Sequence, residues 1–316
     1  MSAVFVGCGR TVGAHTASIR RIAPGMPLYY ACKDSDRARD LCRRYGGAGW
    51  FGSWESALED ARSSIAILTT PLATRFALTF RALAAGMHVI VETPAFMRAS
   101  DFELVSSAAR SAGRRVLVAE TSFYRPLSTQ LRRIISEHAL GEVRLLHVNA
   151  LRGQGAAGWP ENGAPERQSR FDNGLHWISF LANLGLPVLR IRWQAAGSLH
   201  AVDRTWLVSL DYANGAVGQL WYSMEIPARL GRLRLSTLYG TAGTAAFESN
   251  GLFVLETGRR RRLTLPSFDD RHGYRAMLAD FLAAIHTDRE PAYTLDHARR
   301  DVALVEPLRT GATDHA

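Results

Sequence analysis

The sequence predicts an α/β protein that is built as two domains. Its 316 residues exceed the usual length of a single domain. The first third alternates short apolar runs with helical patterns, which predicts a doubly wound parallel sheet over residues 1–121. The later part carries strand-like runs separated by turn residues, which predicts an α+β domain with an open, mostly antiparallel sheet over residues 122–316.

In the first domain, each expected strand is a short apolar run. We expect strands at Ala3–Val6, Leu28–Cys32, Ser64–Thr69, Met87–Val91 and Arg115–Ala119. Segments with helical periodicity separate them, and we expect helices at Gly13–Ile22, Asp34–Tyr45, from Pro71 through Ala85, and at Ser100–Ala112. Strands joined by helices of this length specify βαβ units and a parallel sheet.

The second domain has a different texture. We expect its elements at Leu127–Glu137 (helix), Val143–Ala150 (strand), Leu175–Leu184 (helix), Val188–Leu265 (several strands), Tyr274–His286 (helix) and Leu295–Leu308 (helix). The stretch 153–167 is rich in Gly, Ala and Pro and predicts a long loop. Asn214-Gly215 lies between two apolar runs and predicts a tight β-hairpin.

Composition and motif content limit the kinds of binding partner that we expect. The formal net charge is +9, but the arginines are scattered along helices and no nucleic-acid-binding motif accompanies them. We therefore expect no nucleic-acid partner. No apolar stretch approaches the roughly 20 residues that span a bilayer, and no charged leader precedes the first strand. We expect no membrane association and a cytoplasmic location.

Three cysteines are present, at positions 8, 32 and 42. Their spacing matches neither a metal site nor a C-x-x-C motif. We expect three reduced, structural thiols and no bound metal.

A glycine-rich turn follows the first expected strand. Gly7 and Gly9 stand between that strand and a helix, where glycines permit a tight turn and let a pyrophosphate approach the backbone. The usual third glycine is replaced by Val12, and Gly13 comes one position late. The context favours a dinucleotide-binding Rossmann domain. A glycine turn that binds no ligand remains the alternative.

The end of the second strand bears on the choice of cofactor. A carboxylate there favours NAD(H), but this chain has Ala31, Cys32 and Lys33, and no carboxylate until Asp34. A cation suits the 2′-phosphate of NADP(H) by direct charge pairing. We expect NADP(H) rather than NAD(H). The alternative is that Lys33 is a surface lysine in a loop.

Several segments together resemble the Gfo/Idh/MocA family of oxidoreductases. The matching segments are Gly7–His15, Ala84–Pro94, Glu120–Pro126, Asp172–His176, Gly240–Thr244, Tyr274–Phe281 and Arg289–Pro291. Each segment alone is unspecific, but their order and spacing run through nearly the whole chain. The resemblance implies hydride transfer between nicotinamide and a small-molecule substrate, mostly a sugar, cyclitol or related polyol. It also implies a homodimer or homotetramer formed through the sheet of the second domain.

The resemblance places the cofactor against the glycine turn and the ends of the neighbouring strands. The expected cofactor contacts are Gly7, Gly9, Arg10, Thr11, Val12, Lys33, Thr70, Pro71, Glu92 and Thr93. In the family, the lysine of an E-K-P motif and the histidine of a D-x-G-x-H motif handle the hydroxyl proton.

The chain departs from the family pattern near the implied reaction centre. Thr93 replaces the lysine of the E-K-P motif, and Lys33 is the only lysine in the sequence. A threonine hydroxyl orients by hydrogen bonding but is essentially never ionised near neutrality. Arg75 stands where the family has a histidine, and the bulky stretch Glu166–Phe171 replaces a glycine triplet.

The residues that remain for proton transfer are His176 and Asp172. They are four apart, so they share one helix face, and the carboxylate can orient the imidazole. The alternative is that Asp172 caps the helix while His176 packs with aromatic neighbours. Tyr124 is a further candidate acid or base, and Arg170 and Trp159 are candidate substrate contacts. Simple packing or solvation remains the alternative for each.

These observations predict an NAD(P)-dependent oxidoreductase that acts on a sugar-like or secondary-metabolite alcohol or ketone and lacks the family lysine. Two alternatives stay open. One is a non-redox enzyme of the same scaffold that catalyses elimination, isomerisation or cyclisation. The other is a non-catalytic homologue that only binds the cofactor or a ligand.

Overall fold

A computed structural model describes residues 1–60, 62–151, 166–196, 205–223, 226, 233–258 and 261–310. The chain forms two compact units. The first comprises Met1–Thr121 and Tyr274–Ala303, and the second comprises Ser122–Gly273 and Leu304–Ala316. The division at residue 121 alone therefore needs a correction, because the chain returns to the first unit near its end.

The first unit is built on a six-stranded parallel sheet. Its strands are β1 (Ala3–Val6), β2 (Leu28–Ala31), β3 (Gly49–Phe51), β4 (Ile65–Leu68), β5 (His88–Glu92) and β6 (Val116–Ala119). The strand order is β3-β2-β1-β4-β5-β6. This order reverses between β1 and β4, and in such sheets ligands bind outside the carboxyl ends of the strands at that point. The predicted doubly wound parallel sheet is confirmed.

Helices connect these strands. They are α1 (Val12–Ile22), α2 (Ser35–Tyr45), α3 (Trp54–Glu59), α4 (Leu72–Ala84) and α5 (Ala99–Ala112). β1, β4 and β6 are buried along their whole length, which explains their unbroken apolar runs. The sequence did not predict β3 or α3, because three and six residues carry too little periodicity to be recognised.

The returning chain supplies one more helix to the first unit. This helix packs against α1, and the ring of Tyr274 at its start meets the ring of His15 edge-on, with centroids 5.1 Å apart. This contact explains why residues 274–303 belong with the first unit.

The second unit contains an eight-stranded sheet. Its strands are β7 (Val143–Leu151), β8 (Val188–Ala196), β9 (Thr205–Tyr212), β10 (Val217–Ser223), β11 (Leu235–Gly240), β12 (Gly243–Glu248), β13 (Val254–Thr257) and β14 (Arg262–Thr264). The order is β14-β13-β12-β11-β7-β10-β9-β8, and the β7–β10 pair is parallel while the other described pairs are antiparallel. Gly215 has a φ of +80° in the turn between β9 and β10, as the Asn-Gly hairpin requires.

The remaining helices are α6 (Thr121–Tyr124), α7 (Pro126–Ser136), α8 (Glu166–Ala182), α9 (Tyr274–His286) and α10 (Leu295–Thr310). The α8 helix covers one face of the second sheet. A Cβ atom on Gly174 would lie 2.9 Å from the Trp206 ring, so the helix approaches β9 as closely as a glycine allows. The α8 helix starts nine residues before the expected Leu175, at Glu166. Within the described part of the chain, no helix combines the length and apolarity that crossing a membrane requires.

Candidate functional site

The glycine-rich turn is pressed against the end of β4. A Cβ atom on Gly7 would lie 2.9 Å from the Thr69 carbonyl carbon, and one on Gly9 would lie 2.7 Å from the Thr69 oxygen. Gly7 also has a φ of +108°, and its amide donates to the Ala31 oxygen at 2.8 Å. Both positions therefore require glycine, because a side chain at either one would collide with the end of β4.

The start of α1 is open to an anion. The N-cap residue Thr11 makes no side-chain capping hydrogen bond, and the first turn contains no acidic residue. A helix N-terminus without a cap leaves N–H groups for a phosphate, which the helix dipole also favours. The late glycine has a packing role, since a Cβ atom on Gly13 would lie 2.8 Å from the Tyr45 hydroxyl. These features fit a dinucleotide pyrophosphate over the turn.

The end of β2 presents cations, while its nearest carboxylate is already engaged. The Oδ1 atom of Asp34 caps α2 by accepting from the amides of Asp36 and Arg37, at 2.9 and 3.3 Å. Lys33 is exposed, with its Nζ atom 4.7 Å from the centroid of the Trp54 ring. This arrangement leaves an exposed lysine at a corner whose nearest carboxylate caps a helix through its Oδ1 atom.

Arg37 was missed by the sequence analysis. Its Nη2 atom donates to the Cys8 oxygen at 3.1 Å, so an exposed guanidinium reaches the glycine turn from the first turn of α2. The signal that could have revealed it is its spacing of four residues from Lys33.

Two of the three cysteines are joined, which corrects the expectation of reduced thiols. Cys8 and Cys32 form a disulfide with Cα atoms 5.9 Å apart, and Cys42 is free. The two residues are 24 positions apart in sequence, and only the pairing of β1 with β2 brings them together.

The end of β5 carries a buried contact between a carboxylate and an imidazole. The Oε1 atom of Glu92 lies 2.6 Å from Nε2 of His15, which is fully buried. Burial raises the pKa of the Glu92 carboxyl, but the hydrogen bonds from His15 and Thr11 and the charge of Arg75 outweigh it, so the net pKa is lowered. Glu92 is therefore a carboxylate at neutral pH. His15 was not among the predicted site residues, although the family resemblance included it.

Threonines line the rest of this edge. The Oγ1 atoms of Thr93 and Thr70 are buried without a protein hydrogen-bond partner. The peptide bond between Thr93 and Pro94 is cis. A buried hydroxyl without a partner is an unmet hydrogen-bonding group, which a ligand in the crevice could satisfy. Pro71 is exposed just before α4.

Arg75 connects the end of β4 to the end of β5 through hydrogen bonds. Its Nε atom donates to the Thr70 oxygen at 2.9 Å, and its Nη1 atom donates to the oxygens of Glu92 and Pro94 at 2.9 and 2.5 Å. The guanidinium thus ties the end of β4 to the residues on both sides of Thr93. A histidine has too few donors to make these three bonds.

In the second unit, His176 is half-buried on α8. Asp172 and Arg170 lie on the same helix, but the structure does not describe their side chains. Because α8 begins at Glu166, Asp172 is not the helix cap, and that alternative is wrong. Trp159 lies outside the described residues.

Tyr124 is a buried residue of the second unit. Its ring meets that of Phe123 edge-on, with centroids 5.1 Å apart. Burial lowers the pKa of Arg132, and the nearby Tyr124 opposes this shift. These contacts favour packing, and a catalytic role for Tyr124 stays a prediction.

Family models match most of the chain. The model described as "Oxidoreductase family, NAD-binding Rossmann fold" matches residues 1–120, and the model described as "GFO/IDH/MocA C-terminal domain" matches residues 128–246.

Characterised relatives are distant. Trans-1,2-dihydrobenzene-1,2-diol dehydrogenase of Sus scrofa is 26% identical over 219 residues, which cover 68% of this chain and 64% of that protein. The chain thus spans slightly less than two thirds of the length of this relative. D-glucoside 3-dehydrogenase of Escherichia coli (strain K12) is 26% identical over 263 residues, which cover 80% of this chain and 68% of that protein.

Solved structures share the fold. An oxidoreductase from Agrobacterium radiobacter in complex with NAD+, L-tartaric acid and magnesium superposes with a TM-score of 0.87 at 17% identity, covering 99% of this chain and 96% of that one. A levoglucosan dehydrogenase in complex with NADH gives a TM-score of 0.82 at 17% identity, covering 98% and 96%.

Proposed function

Because the chain belongs to the Gfo/Idh/MocA family of oxidoreductases, we propose that it is an NAD(P)-dependent oxidoreductase. Its substrate is a sugar-like or secondary-metabolite alcohol or ketone. The observation that carries this proposal is the open N-terminus of α1 beside two glycines that admit no Cβ atom. A turn that only connected β1 to α1 would not require an uncapped helix N-terminus at the point where the strand order of the sheet reverses.

The first unit supplies the cofactor contacts. The turn from Gly7 to Gly9 and the first amides of α1 would hold the pyrophosphate, with Arg10, Thr11 and Val12 at its edge. The free hydroxyls of Thr70 and Thr93 would donate or accept at the nicotinamide end. When bound, the nicotinamide supplies or accepts the hydride.

The second unit supplies the proton chemistry. We assign the hydroxyl proton to the imidazole of His176, because an imidazole ring can both accept and donate a proton. Asp172 lies four residues earlier on the same helix and orients the imidazole. Arg170, Trp159 and Tyr124 remain candidate contacts to the substrate. The hydroxyl of Thr93 cannot replace the proton transfer that the family lysine performs.

The substrate class is inferred from relatives. The relatives named above are dehydrogenases of a dihydrodiol and of D-glucosides, and each name specifies a hydroxylated ring. A secondary alcohol on a ring, or the matching ketone, is the common reacting group. A screen of such compounds would identify the substrate.

We further propose that the cofactor is NADP(H) rather than NAD(H). The supporting observation is that Asp34 is committed to the N-terminus of α2, while Lys33 and Arg37 are exposed at the same corner. Replacing both cations with alanine should weaken NADPH binding at least tenfold and change NADH binding little. Arg39→Ala is the matched control, because Arg39 is on the same helix and pairs with Asp36. Equal losses for both nucleotides would contradict the preference.

The central experiment is a titration of the purified protein with NADPH and with NADH, followed by nicotinamide fluorescence. Saturable binding, followed by slow turnover of added ketones, supports the proposal. A protein that binds neither nucleotide would end it. His176→Ala should lower turnover about 10²- to 10⁴-fold without changing nucleotide affinity. Unchanged turnover would remove His176 from the mechanism.

A non-redox reaction on the same scaffold is the second candidate. The observation that favours it is the buried, unpartnered hydroxyl of Thr93 at the position of the family's catalytic lysine. An elimination, isomerisation or cyclisation would leave the nucleotide unconsumed. Absorbance at 340 nm after substrate conversion therefore separates the two candidates. A non-catalytic homologue would convert no compound in the screen.

We propose that the second unit pairs with a second copy of this chain. The outward face of its sheet exposes large apolar side chains from adjacent strands: Leu145, Leu207, Trp221, Leu235, Tyr239, Leu255 and Leu263. Large apolar side chains that are exposed together on one face of a sheet mark a candidate interface. Trp221→Glu should convert a dimer or tetramer to a monomer in light scattering, and a monomeric wild-type protein would refute the pairing.

A further inference from the structure

We propose that Cys8 and Cys32 are a reversible thiol–disulfide pair, and that their oxidation weakens dinucleotide binding. The inference rests on the proposed function, because it concerns the same crevice. The two Cα atoms are 5.9 Å apart, inside the range of about 4.4–6.8 Å that a disulfide allows. Their closeness follows from the sheet, because β1 and β2 are parallel neighbours and Val6 pairs with Ala31.

The pair lies where the cofactor would bind. Cys8 stands between Gly7 and Gly9 in the phosphate turn, and Cys32 follows directly after β2. The end of the second strand is where such sheets contact the adenosine ribose. A bridge between these two residues therefore crosses the crevice edge between the phosphate turn and the ribose position.

The disulfide also limits the movement of the turn that contains Cys8. On one side the turn touches the backbone of Thr69, since Cβ atoms on its glycines would lie within 3 Å of that residue. On the other side the disulfide ties Cys8 to the end of β2, and Arg37 holds the Cys8 oxygen. The oxidised turn is therefore fixed from both sides, with two sulfur atoms beside the ribose position. Reduction removes the covalent tie and leaves hydrogen bonds on the β2 side, from the Gly7 amide to the Ala31 oxygen and from Arg37 to the Cys8 oxygen. Hydrogen bonds can rearrange when phosphates bind, whereas a covalent bond cannot.

The two cysteines differ in access. Cys8 is half-buried, whereas Cys32 is 1% exposed. A small thiol such as glutathione would therefore attack the sulfur of Cys8. That attack breaks the Cys8–Cys32 bond, forms a mixed disulfide at Cys8 and releases the Cys32 thiolate, which takes a proton. A second glutathione then attacks the mixed disulfide, frees Cys8 and leaves as glutathione disulfide. Two electrons pass from two glutathiones to the protein, and glutathione disulfide reverses the reaction.

The third cysteine can be replaced so that thiol measurements report only on Cys8 and Cys32. Cys42 is free and lies on α2 near Gly47, where a Cβ atom would meet its sulfur at 2.9 Å. This is the opposite end of α2 from Lys33. The Cys42→Ser protein should show no reactive thiol under denaturing conditions after treatment with glutathione disulfide. After reduction it should show the two thiols of the pair.

The test measures NADPH and NADH affinity of this Cys42→Ser protein in both states by nicotinamide fluorescence. We expect the oxidised state to bind the preferred nucleotide at least tenfold more weakly, with full recovery on reduction. Adding Cys32→Ser should abolish the response to oxidant. Cys8→Ser in the same background is the second variant, because Cys32 is buried and its replacement could impair folding.

Three results would overturn the inference, and they are distinguishable. Two free thiols after oxidation would show that the pair does not form. If oxidation changes the thiol count but not the nucleotide affinity, then the disulfide does not control nucleotide binding. That result would leave the proposed function intact. A reduced protein that binds neither nucleotide would overturn both the inference and the proposed function.

Discussion

The Nε2 atom of His15 lies 2.6 Å from the Oε1 atom of Glu92, and this contact joins the first helix to the end of the fifth strand. The imidazole is fully buried, and its other nitrogen has no protein hydrogen-bond partner. Glu92 is therefore the group that satisfies His15, and it directly precedes Thr93 in the sequence.

Glu92→Gln should reduce stability about 1–3 kcal/mol at pH 7, because it removes a charged hydrogen bond inside the first unit. The folded state lowers the pKa of Glu92 from its ordinary value of 4.5. The carboxylate therefore contributes stability above pH 4.5, and the contribution is lost as pH falls through the lower folded pKa. Urea unfolding at pH 7 and at pH 3.5 measures the difference. Glu59→Gln, at an exposed position, is the control, and an equal cost of Glu92→Gln at both pH values would contradict the prediction.

Gly9→Ala should weaken nucleotide binding at least tenfold and destabilise the protein about 1–3 kcal/mol. The new Cβ atom would lie 2.7 Å from the Thr69 oxygen, so either the turn or the end of β4 must move. Gly25→Ala is the matched control, because nothing lies within 4 Å of its Cβ position. Fluorescence titration and thermal unfolding report the two effects. If both variants behave alike, the turn does not need its bare backbone.

His88→Asn should make the protein less sensitive to acid. Burial, together with the charges of Arg114 and Arg115, lowers the pKa of His88 to about 4. The imidazole stays neutral in the fold and accepts from the Arg115 amide at 3.0 Å. Between pH 6.5 and 4 the unfolded chain binds a proton that the folded chain excludes, so stability falls as pH is lowered.

The expected size of this effect is about 1–2 kcal/mol after allowance for partial exposure, and His88→Asn should remove most of it. The measurement is the free energy of unfolding at several pH values between 7 and 4. His286→Asn serves as the comparison, since His286 ends α9 in the same unit. The prediction is wrong if the wild-type and His88→Asn curves are parallel.

Thr93→Lys should raise polyol oxidation at least tenfold if the scaffold retains its redox geometry, because the lysine restores a proton-transfer group. Steady-state assays with a panel of polyols and both nucleotides would measure the gain. Thr93→Met adds similar length without an ammonium group and should give no gain. A lysine variant that binds the nucleotide but oxidises nothing would favour the non-redox candidate.

Most elements of the first unit could be predicted from sequence, because each buried strand is an unbroken apolar run. The positions of β1 and of the helix Tyr274–His286 were predicted residue for residue. The start of α8 was placed too late, because Glu166–Phe171 is polar and gives no apolar periodicity. The sequence predicts a site at the glycine turn from local residue types, and this site stays a prediction. Arg37 and His15 act through partners distant in sequence and were not recognised.

The sequence by itself determined the two sheets, the glycine turn and the absence of a lysine at position 93, because periodicity, glycine and residue identity are local properties. Only the tertiary structure decided that residues 274–303 return to the first unit, that Asp34 caps α2, and that Cys8 forms a disulfide with Cys32. Each of these depends on which strands and helices become neighbours. That choice is made by the burial of whole faces, which no single segment of the chain encodes.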